Sequence, residues 1–216
     1  MEDKSTPSPV REIDIQNGHL GSPFDTYSPV ELEGPPKKSC LQSLFIEVIE
    51  TLILALVLFI VINTVTARIR VDGSSMEPSF HHNDYVIVNK LSYRLGDFER
   101  GDVIIFPNPY NPDEDFIKRV VGLPGDVIQV VDGRLYVNGM MMDEPYLGEP
   151  MNKDMSEKVV PEGTLFVMGD NRNDSSDSRA WGPLEIENVL GKAVFVYWPF
   201  DGIGLVDDHT VEAANQ

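Results

Sequence analysis

One long apolar segment constrains this chain more than any other feature of its sequence. From Thr51 to Ala67, 17 consecutive residues carry no charge, and most of them are aliphatic. As an α-helix this run spans about 26 Å, slightly less than the roughly 30 Å hydrocarbon core of a bilayer. Extension back to Leu44 supplies the missing length and places Glu47 and Glu50 near the lipid headgroups. We therefore predict one transmembrane helix over residues 44–67.

A cleaved signal peptide is the alternative interpretation of this run. Val65-Thr66-Ala67 resembles the small-residue pattern at which such peptides are cleaved. However, a long acidic segment precedes the run, and the run exceeds the usual apolar length of about 7 to 15 residues, so an uncleaved anchor is favoured. Charge does not set the orientation, because Lys37 and Lys38 on one flank are balanced by Arg68 and Arg70 on the other.

The rest of the composition excludes several classes of protein. Residues 1–43 are rich in Pro, Ser, Gly and charge, which predicts a disordered tail, expected on the cytoplasmic side. The net charge of -18 argues against a phosphate-binding surface, and hence against nucleic acid as a partner. Cys40 is the only cysteine, so an intrachain disulfide and a cysteine-rich metal site are excluded. Lipid attachment at Cys40 is disfavoured because it precedes the apolar run.

Short β-branched runs separated by turn residues dominate the chain beyond the apolar segment. We predict a mainly antiparallel β domain over residues 68–200, with an excursion at 139–161 and a C-terminal tail at 201–216. Asp132-Gly133 between two runs indicates a type I′ hairpin turn. The predicted strands are Tyr85–Val88, Val103–Phe106, Phe116–Val121, Val127–Val131, Leu135–Val137, Leu165–Met168 and Ala193–Trp198.

Ser75 is the candidate nucleophile, in a segment that reads Gly-Ser-Ser-Met-Glu-Pro-Ser over residues 73–79. It lies eight residues beyond Ala67, so at most about 29 Å of extended chain separates it from the apolar run. A serine hydroxyl needs a neighbouring base to remove its proton. His81 or His82 could complete a Ser/His/Asp triad, and together with Asp84 they could form a metal site, but adjacent histidines before a strand are more often an exposed loop.

Lys118 is the better candidate for the base. On a strand, alternate residues share a face, so Lys118 lies with Phe116 and Val120 while Arg119 lies with Ile117. One of the two cations is thereby placed in apolar surroundings. This matters because a free lysine is neutral in only about one molecule in 2,500 at pH 7, and burial lowers its pKa. The alternative is that Lys118 extends its ammonium group to solvent from a half-buried strand.

A third segment is dense in hydrogen-bonding groups and reads GDNRNDSSDSR over residues 169–179, followed by Trp181-Gly182. Such a segment can orient a lysine through a hydroxyl and brace a loop with an Asp/Arg pair. It can equally be an ordinary turn rich in Asn and Asp.

Together these segments resemble type I bacterial signal peptidase (peptidase family S26), the membrane-anchored enzyme that removes signal peptides from exported proteins. The resemblance covers roughly residues 45–198 and depends on the anchor followed by GSSMEPSF, RGDVIIF with FIKRVVGLPGD, and GDNRNDSSDSR with WG. It implies a serine endopeptidase in a bacterial plasma membrane, with a single membrane pass, an extracytoplasmic catalytic domain and no cofactor or metal. Its partners would be secretory preproteins and the lipid bilayer.

The resemblance also implies which residues perform the chemistry. Ser75 is the nucleophile and Lys118 the general base, and the backbone N–H of Ser75 holds the oxyanion. Some members of the family carry a serine two residues before the nucleophile, where this chain has Gly73. A second oxyanion donor at Gly73 would therefore have to be a backbone group.

Four further residues support the site by resemblance. Met76 packs beside it, Ser175 orients the lysine through a hydrogen bond, and Asp177 and Arg179 form a structural salt bridge. Asn173-Asp174 departs from the Asp-Asn that many members have there, which leaves the partner of Asp174 open.

Two other interpretations compete with this one. Self-cleaving SOS-type repressors share a related Ser/Lys fold, but they carry a helix-turn-helix domain, and nothing in residues 1–70 resembles one. The second is a membrane-anchored β module without enzymatic activity, in which Ser75 and Lys118 are incidental.

Overall fold

The computed structural model describes residues 40–207. The predicted tails therefore lie outside the described residues, except for 40–43 and 201–207. The chain divides into two compact units, Met1–Ile49 and Glu50–Gln216. The first is described only where helix α1 begins, and the second contains the rest of α1 and all of the strands.

Helix α1 spans Cys40–Val65, and from Leu41 onward it is long and apolar enough to cross a membrane. The helix begins four residues earlier than predicted, at Cys40 instead of Leu44. It also ends two residues earlier than predicted, at Val65 instead of Ala67. Thr66 and Ala67 belong instead to strand β1, where they pair with Asn89 and Val88. The hydroxyl of Thr66 donates to the carbonyl of Ile62 at 2.9 Å, which satisfies one acceptor at the helix end.

The remaining described chain forms two antiparallel sheets. The strands are β1 Thr66–Arg70, β2 Tyr85–Asn89, β3 Val103–Asn108, β4 Asn111–Gly122, β5 Val127–Val131, β6 Arg134–Val137, β7 Met140–Met141, β8 Met155–Val159, β9 Thr164–Met168, β10 Leu184–Glu185, β11 Gly191–Trp198 and β12 Gly204–Leu205. The larger sheet has the order β1-β2-β11-β3-β4-β9-β10, with β12 paired to β11, and the smaller has the order β7-β6-β5-β8. Two short helices, α2 (Ser92–Leu95) and α3 (Ser178–Trp181), and 3-10 turns at Ile186–Asn188 and Phe200–Gly202 complete the domain.

The predicted mainly antiparallel β fold is confirmed, and each predicted strand is present. The type I′ turn is confirmed as well, because Asp132 and Gly133 have φ angles of 48° and 73° and join β5 to β6. Residues 139–161 are more than an excursion, since β8 pairs with β5 within the smaller sheet. The predicted tail at 201–216 likewise contains β12.

Three groups of buried side chains form the core, and each involves the larger sheet. One anchors the segment that carries Ser75: Val71, Met76, Phe80, Val86, Val88, Val103, Ile105, Ile117, Ala193 and Val196. A second lies around Ile104, Phe106, Val120, Leu165, Val167 and Leu184. The third joins the two sheets and contains Val121, Ile128, Val130, Leu135, Val137, Met142, Tyr146, Met151, Val160, Phe166 and Met168.

Arg119 is buried as deeply as these apolar residues, with only 1% of its surface exposed. Its guanidinium donates to both carboxylate oxygens of Asp170, at 2.9 and 2.7 Å, and to the carbonyl of Gly101 at 2.8 Å. The aromatic ring of Tyr146 lies 4.1 Å away. The sequence predicted one cation of the Lys118-Arg119 pair in apolar surroundings, whereas the structure buries both. Arg119 thereby ties β4 to the loop after β9.

We expect Arg119→Met to lower the free energy of unfolding by about 3–5 kcal/mol, because it leaves the carboxylate of Asp170 buried without its cation. Adding Asp170→Asn should recover much of this loss. The measurement is denaturant unfolding of the full chain in detergent, with Arg94→Met on the exposed face of α2 as the control. If Arg119→Met alone is as stable as wild type, the Arg119–Asp170 pair does not hold the loop after β9.

Candidate active site

Ser75 lies in a turn between β1 and β2 that is held by the loop after β9. The backbone N–H of Asn171 donates to the carbonyl of Ser75 at 3.1 Å, and its side-chain amide donates to the carbonyl of Ser74 at 3.2 Å. Immediately after Ser75, Met76 is 1% exposed and packs in the core. The nucleophile candidate therefore has a fixed neighbour on each side. The burial of the Met76 side chain in the core anchors the nucleophile turn.

Lys118 reaches this turn from β4. Its Nζ atom lies 2.7 Å from Ser75 Oγ and 2.9 Å from the carbonyl oxygen of Ile117. Only 2% of Lys118 is exposed, and the ring of Phe116 lies 4.8 Å from Nζ. The structure thus brings together the two residues that the sequence analysis selected as nucleophile and base, at hydrogen-bonding distance.

The environment of Lys118 shifts its amine toward the neutral form. Burial is the main cause, and it lowers the pKa of Lys118 from its usual 10.5 to about 8, although the negative charges of Asp177 and Asp170 act in the opposite direction. At this pKa about one molecule in ten carries a neutral amine at pH 7. A neutral Nζ can accept the proton of the Ser75 hydroxyl, which is what a base for a serine nucleophile must do.

The two histidines considered as alternatives lie on an exposed loop. His81 Nδ1 is 3.9 Å from Asp84, and His82 Nδ1 is 3.3 Å from Asp72. Among residues 40–207 no hydrogen bond joins either imidazole to Ser75, so the geometry favours Lys118 over a histidine triad. No group of three or more metal-ligating side chains is found in the described part of the chain.

The backbone N–H of Ser75, the oxyanion donor expected from the family resemblance, makes no hydrogen bond to any described residue. The second expected donor, the N–H of Gly73, donates to Nδ1 of His82 at 3.2 Å. A backbone amide has a single hydrogen, so Gly73 could donate to an oxyanion only after this contact is released. Its role as a second donor stays a prediction.

Ser175 does not make its predicted hydrogen bond to Lys118. Its Oγ atom is buried and makes no hydrogen bond to Lys118, whose amine donates to the carbonyl of Ile117. Ser175 instead helps to lower the pKa of Asp177 through a hydrogen bond to its carboxylate. A Cβ atom on Gly169 would overlap both Ser175 and the carbonyl oxygen of Ser75. In this arrangement Ser175 fills space behind the nucleophile turn.

Asp177 and Arg179 form the expected pair, with Arg179 Nε and Nη2 donating to the carboxylate at 2.8 and 2.7 Å. Burial raises the pKa of Asp177, but the hydrogen bonds and charge of Arg179 outweigh this, so its pKa is lower than usual. The ionised carboxylate also accepts the N–H of Gly169 at 3.1 Å. The pair thereby fixes the loop that contacts Ser75.

Three hydrogen bonds at the site were missed by sequence reasoning. The hydroxyl of Ser74 donates to Asp174 at 3.1 Å, which supplies the partner that the sequence left open. Asn173 turns away and donates to Glu149 and to the carbonyl of Pro150. These partners are distant in sequence, and only the packing of the loop against the turn reveals them.

A cleft of about 230 Å³ opens beside the Ser75–Lys118 pair. Its lining comes from the end of β1 with the nucleophile turn, from β4 and from the loop after β9. The lining residues are Ile69, Arg70, Val71, Asp72, Gly73, Ser74, Ser75, Asp115, Phe116, Ile117, Lys118, Asp174 and Ser176.

The sequence of this chain is similar to those of known signal peptidases. Residues 45–198 match the family described as signal peptidase, peptidase S26. The probable signal peptidase I-2 of Synechocystis sp. is 42% identical, over 82% of this chain and 81% of that protein. The signal peptidase I of Leptolyngbya laminosa is 40% identical over 73% of this chain and 82% of that protein. The chloroplastic thylakoidal processing peptidase 1 of Arabidopsis thaliana is 42% identical over 60% of this chain and 41% of that protein.

We expect Gly169→Ala to destabilise the domain by about 1–3 kcal/mol, because a Cβ atom there would overlap Ser175 and the carbonyl of Ser75. The displaced carbonyl should also loosen its hydrogen bond with Asn171. Thermal unfolding of the full chain measures the effect. Gly202→Ala is the matched control, since nothing lies within 4 Å of the added atom. Equal stability of the two variants would contradict the close packing behind Ser75.

Proposed function

The chain belongs to the signal peptidase family, peptidase S26, and from this premise we propose that Ser75 and Lys118 are the residues that perform its chemistry. Like the other members of this family, this protein is a serine peptidase that cleaves signal peptides. One observation carries the assignment of the dyad: Ser75 Oγ and Lys118 Nζ lie 2.7 Å apart, with the lysine buried.

In the proposed mechanism the neutral amine of Lys118 removes the proton of Ser75 as Oγ attacks the carbonyl carbon of the scissile bond. The negative charge that develops on the carbonyl oxygen is held by the backbone N–H of Ser75. One donor of this kind typically contributes about 3–4 kcal/mol to transition-state stabilisation. The lysine ammonium then gives its proton to the leaving amine, which leaves an acyl group on Ser75.

Hydrolysis of the acyl-enzyme repeats the same steps with water as the nucleophile. Lys118, neutral again, removes a proton from a water molecule, and the resulting hydroxide attacks the ester carbonyl. The proton returns to Ser75 Oγ as the ester bond breaks. No step needs a cofactor, because one amine with a suitable pKa serves as base and acid in turn.

The substrate we propose is the segment of a preprotein that follows the hydrophobic part of its signal peptide. The cleft beside Ser75 is lined by Ile69, Val71 and Ile117, whose apolar side chains suit small residues near the cleaved bond. Small residues at positions -1 and -3 of the substrate are the expectation from the family resemblance.

The location we propose is a bacterial plasma membrane, crossed once by α1, with the catalytic domain on the extracytoplasmic side. Ser75 follows the helix end at Val65 by at most about 36 Å of extended chain, so it stays close to the bilayer surface. A membrane-inserted signal peptide and the enzyme then share one surface, which raises their effective concentration. The thylakoid membrane is the alternative, in view of the similarity to a thylakoidal peptidase.

We expect Ser75→Ala to abolish cleavage of a preprotein and Lys118→Ala to lower kcat by about 10²–10⁴-fold, because each removes a reacting group. Lys118→Arg should be equally inactive, since a guanidinium does not become neutral in the working pH range. Cleavage is followed on gels with enzyme in detergent. Ser79→Ala and Lys153→Ala, both at exposed positions, serve as matched controls. Substantial turnover by Lys118→Ala at neutral pH would remove lysine as the base.

The pH dependence follows from the lowered pKa of Lys118. The neutral amine is the active form, so kcat/KM should rise about tenfold per pH unit below pH 8 and level off above it. Circular dichroism across the same range checks that the fold is unchanged. A profile that is flat between pH 6 and 9, or that falls as pH rises, would contradict a lysine base with this pKa.

A further inference from the structure

Gly73 has few contacts within the nucleophile turn, whereas both neighbours of Ser75 are held. Ser74 is bound by Asn171 and Asp174, and Met76 is fixed in the core. Before Ser75, Asp72 and Gly73 are exposed, and a Cβ atom built on Gly73 would have no neighbour within 4 Å. Gly73 also has a φ of +96°, in the region that glycine visits freely. The start of the turn therefore has little packing to restrict its backbone.

One hydrogen bond restrains Gly73 itself. The N–H of Gly73 donates to Nδ1 of His82 at 3.2 Å, and no other hydrogen bond of Gly73 is found within residues 40–207. From this contact we propose that His82 is a positioning residue, which fixes Gly73 and so holds the Ser75 hydroxyl in line with Lys118. The inference rests on the proposed role of Ser75 as the nucleophile.

The loop that carries His82 is itself firmly placed. The N–H of Asn83 donates to the carbonyl of Val71 at 2.9 Å, and the N–H of Val71 donates to the carbonyl of Asp84 at 2.8 Å. The carboxylate of Asp84 accepts the N–H of His81 at 2.8 Å. The backbone around His82 is therefore hydrogen-bonded to Val71, two residues before Gly73. The imidazole of His82 extends from this fixed backbone and can hold Gly73 in place.

The contact requires an unprotonated Nδ1, so the imidazole must be neutral with its hydrogen on Nε2. The same Nδ1 lies 3.3 Å from Asp72 Oδ1, so a hydrogen placed on Nδ1 would be donated to Asp72 and would release Gly73. The function we assign to His82 is that of a hydrogen-bond acceptor. Asparagine can replace His82 in this role, because its Oδ1 occupies a position similar to that of Nδ1. Leucine is close to asparagine in shape but has no hydrogen-bond acceptor.

His81 provides a matched control. It is the adjacent residue, its side chain is 69% exposed, and its imidazole faces Asp84 at 3.9 Å. No hydrogen bond in the described chain joins its side chain to the turn. A substitution at His81 therefore changes the same loop without touching Gly73.

The test compares His82→Leu, His82→Asn and His81→Leu in the full chain, with kcat and KM measured on one preprotein in detergent. We expect His82→Leu to lower kcat roughly three- to tenfold, the effect of one lost hydrogen bond, with KM within about twofold of wild type. His82→Asn should restore most of the rate, and His81→Leu should match wild type. The unfolding temperature of each variant is measured alongside.

Several outcomes would overturn the proposal. A wild-type kcat for His82→Leu would show that the contact does not position Ser75, and a higher kcat would show that His82 withholds a useful donor. A His82→Asn variant as slow as His82→Leu would exclude the acceptor role, and a change confined to KM would assign His82 to substrate binding. Turnover by Ser75→Ala would instead refute the proposed function. An inactive Ser75→Ala beside a normal His82→Leu would refute only this inference.

Discussion

The burial of Lys118 is the constraint on which the rest of the site depends. A lysine with 2% exposure loses most of its hydration, so the neutral amine becomes accessible near neutral pH. The core supplies that burial, since β4 lies in the middle of the larger sheet and its neighbouring residues pack on both faces. A base on an exposed edge strand would remain an ammonium ion. The position of Lys118 in the sheet is therefore part of the chemistry.

Two nearby aspartates oppose the lowering of the Lys118 pKa by burial, because their negative charges stabilise the ammonium form. The structure limits their influence by giving each one its own arginine: Asp170 is bound by Arg119, and Asp177 by Arg179. The same two ion pairs fix the loop after β9, which holds the carbonyl of Ser75 through Asn171. The buried charges thus organise the nucleophile turn while leaving burial as the main influence on the pKa of Lys118.

Much of this could be predicted from the sequence, where local signals are strong. The β-branched runs and Asp132-Gly133 predicted the strands and the hairpin turn, and the alternation on β4 predicted apolar surroundings for one of Lys118 and Arg119. Strands with weak patterns escaped prediction, such as Met155–Val159, a charged edge strand of the smaller sheet. Contacts between distant segments escaped as well. Nothing local indicates that His82 would take the N–H of Gly73, or that Ser175 would lack its bond to Lys118.

The most direct measurement of the central claim is the pKa of Lys118 itself. Nuclear magnetic resonance of the full chain in detergent, with isotope-labelled lysine, would follow the titration of each side chain. The spectrum of Lys118→Arg identifies the resonance that belongs to Lys118. The structure predicts that this amine titrates near pH 8. A pKa close to 10.5 would contradict the account, because only about one molecule in 3,000 would then carry a neutral amine at pH 7.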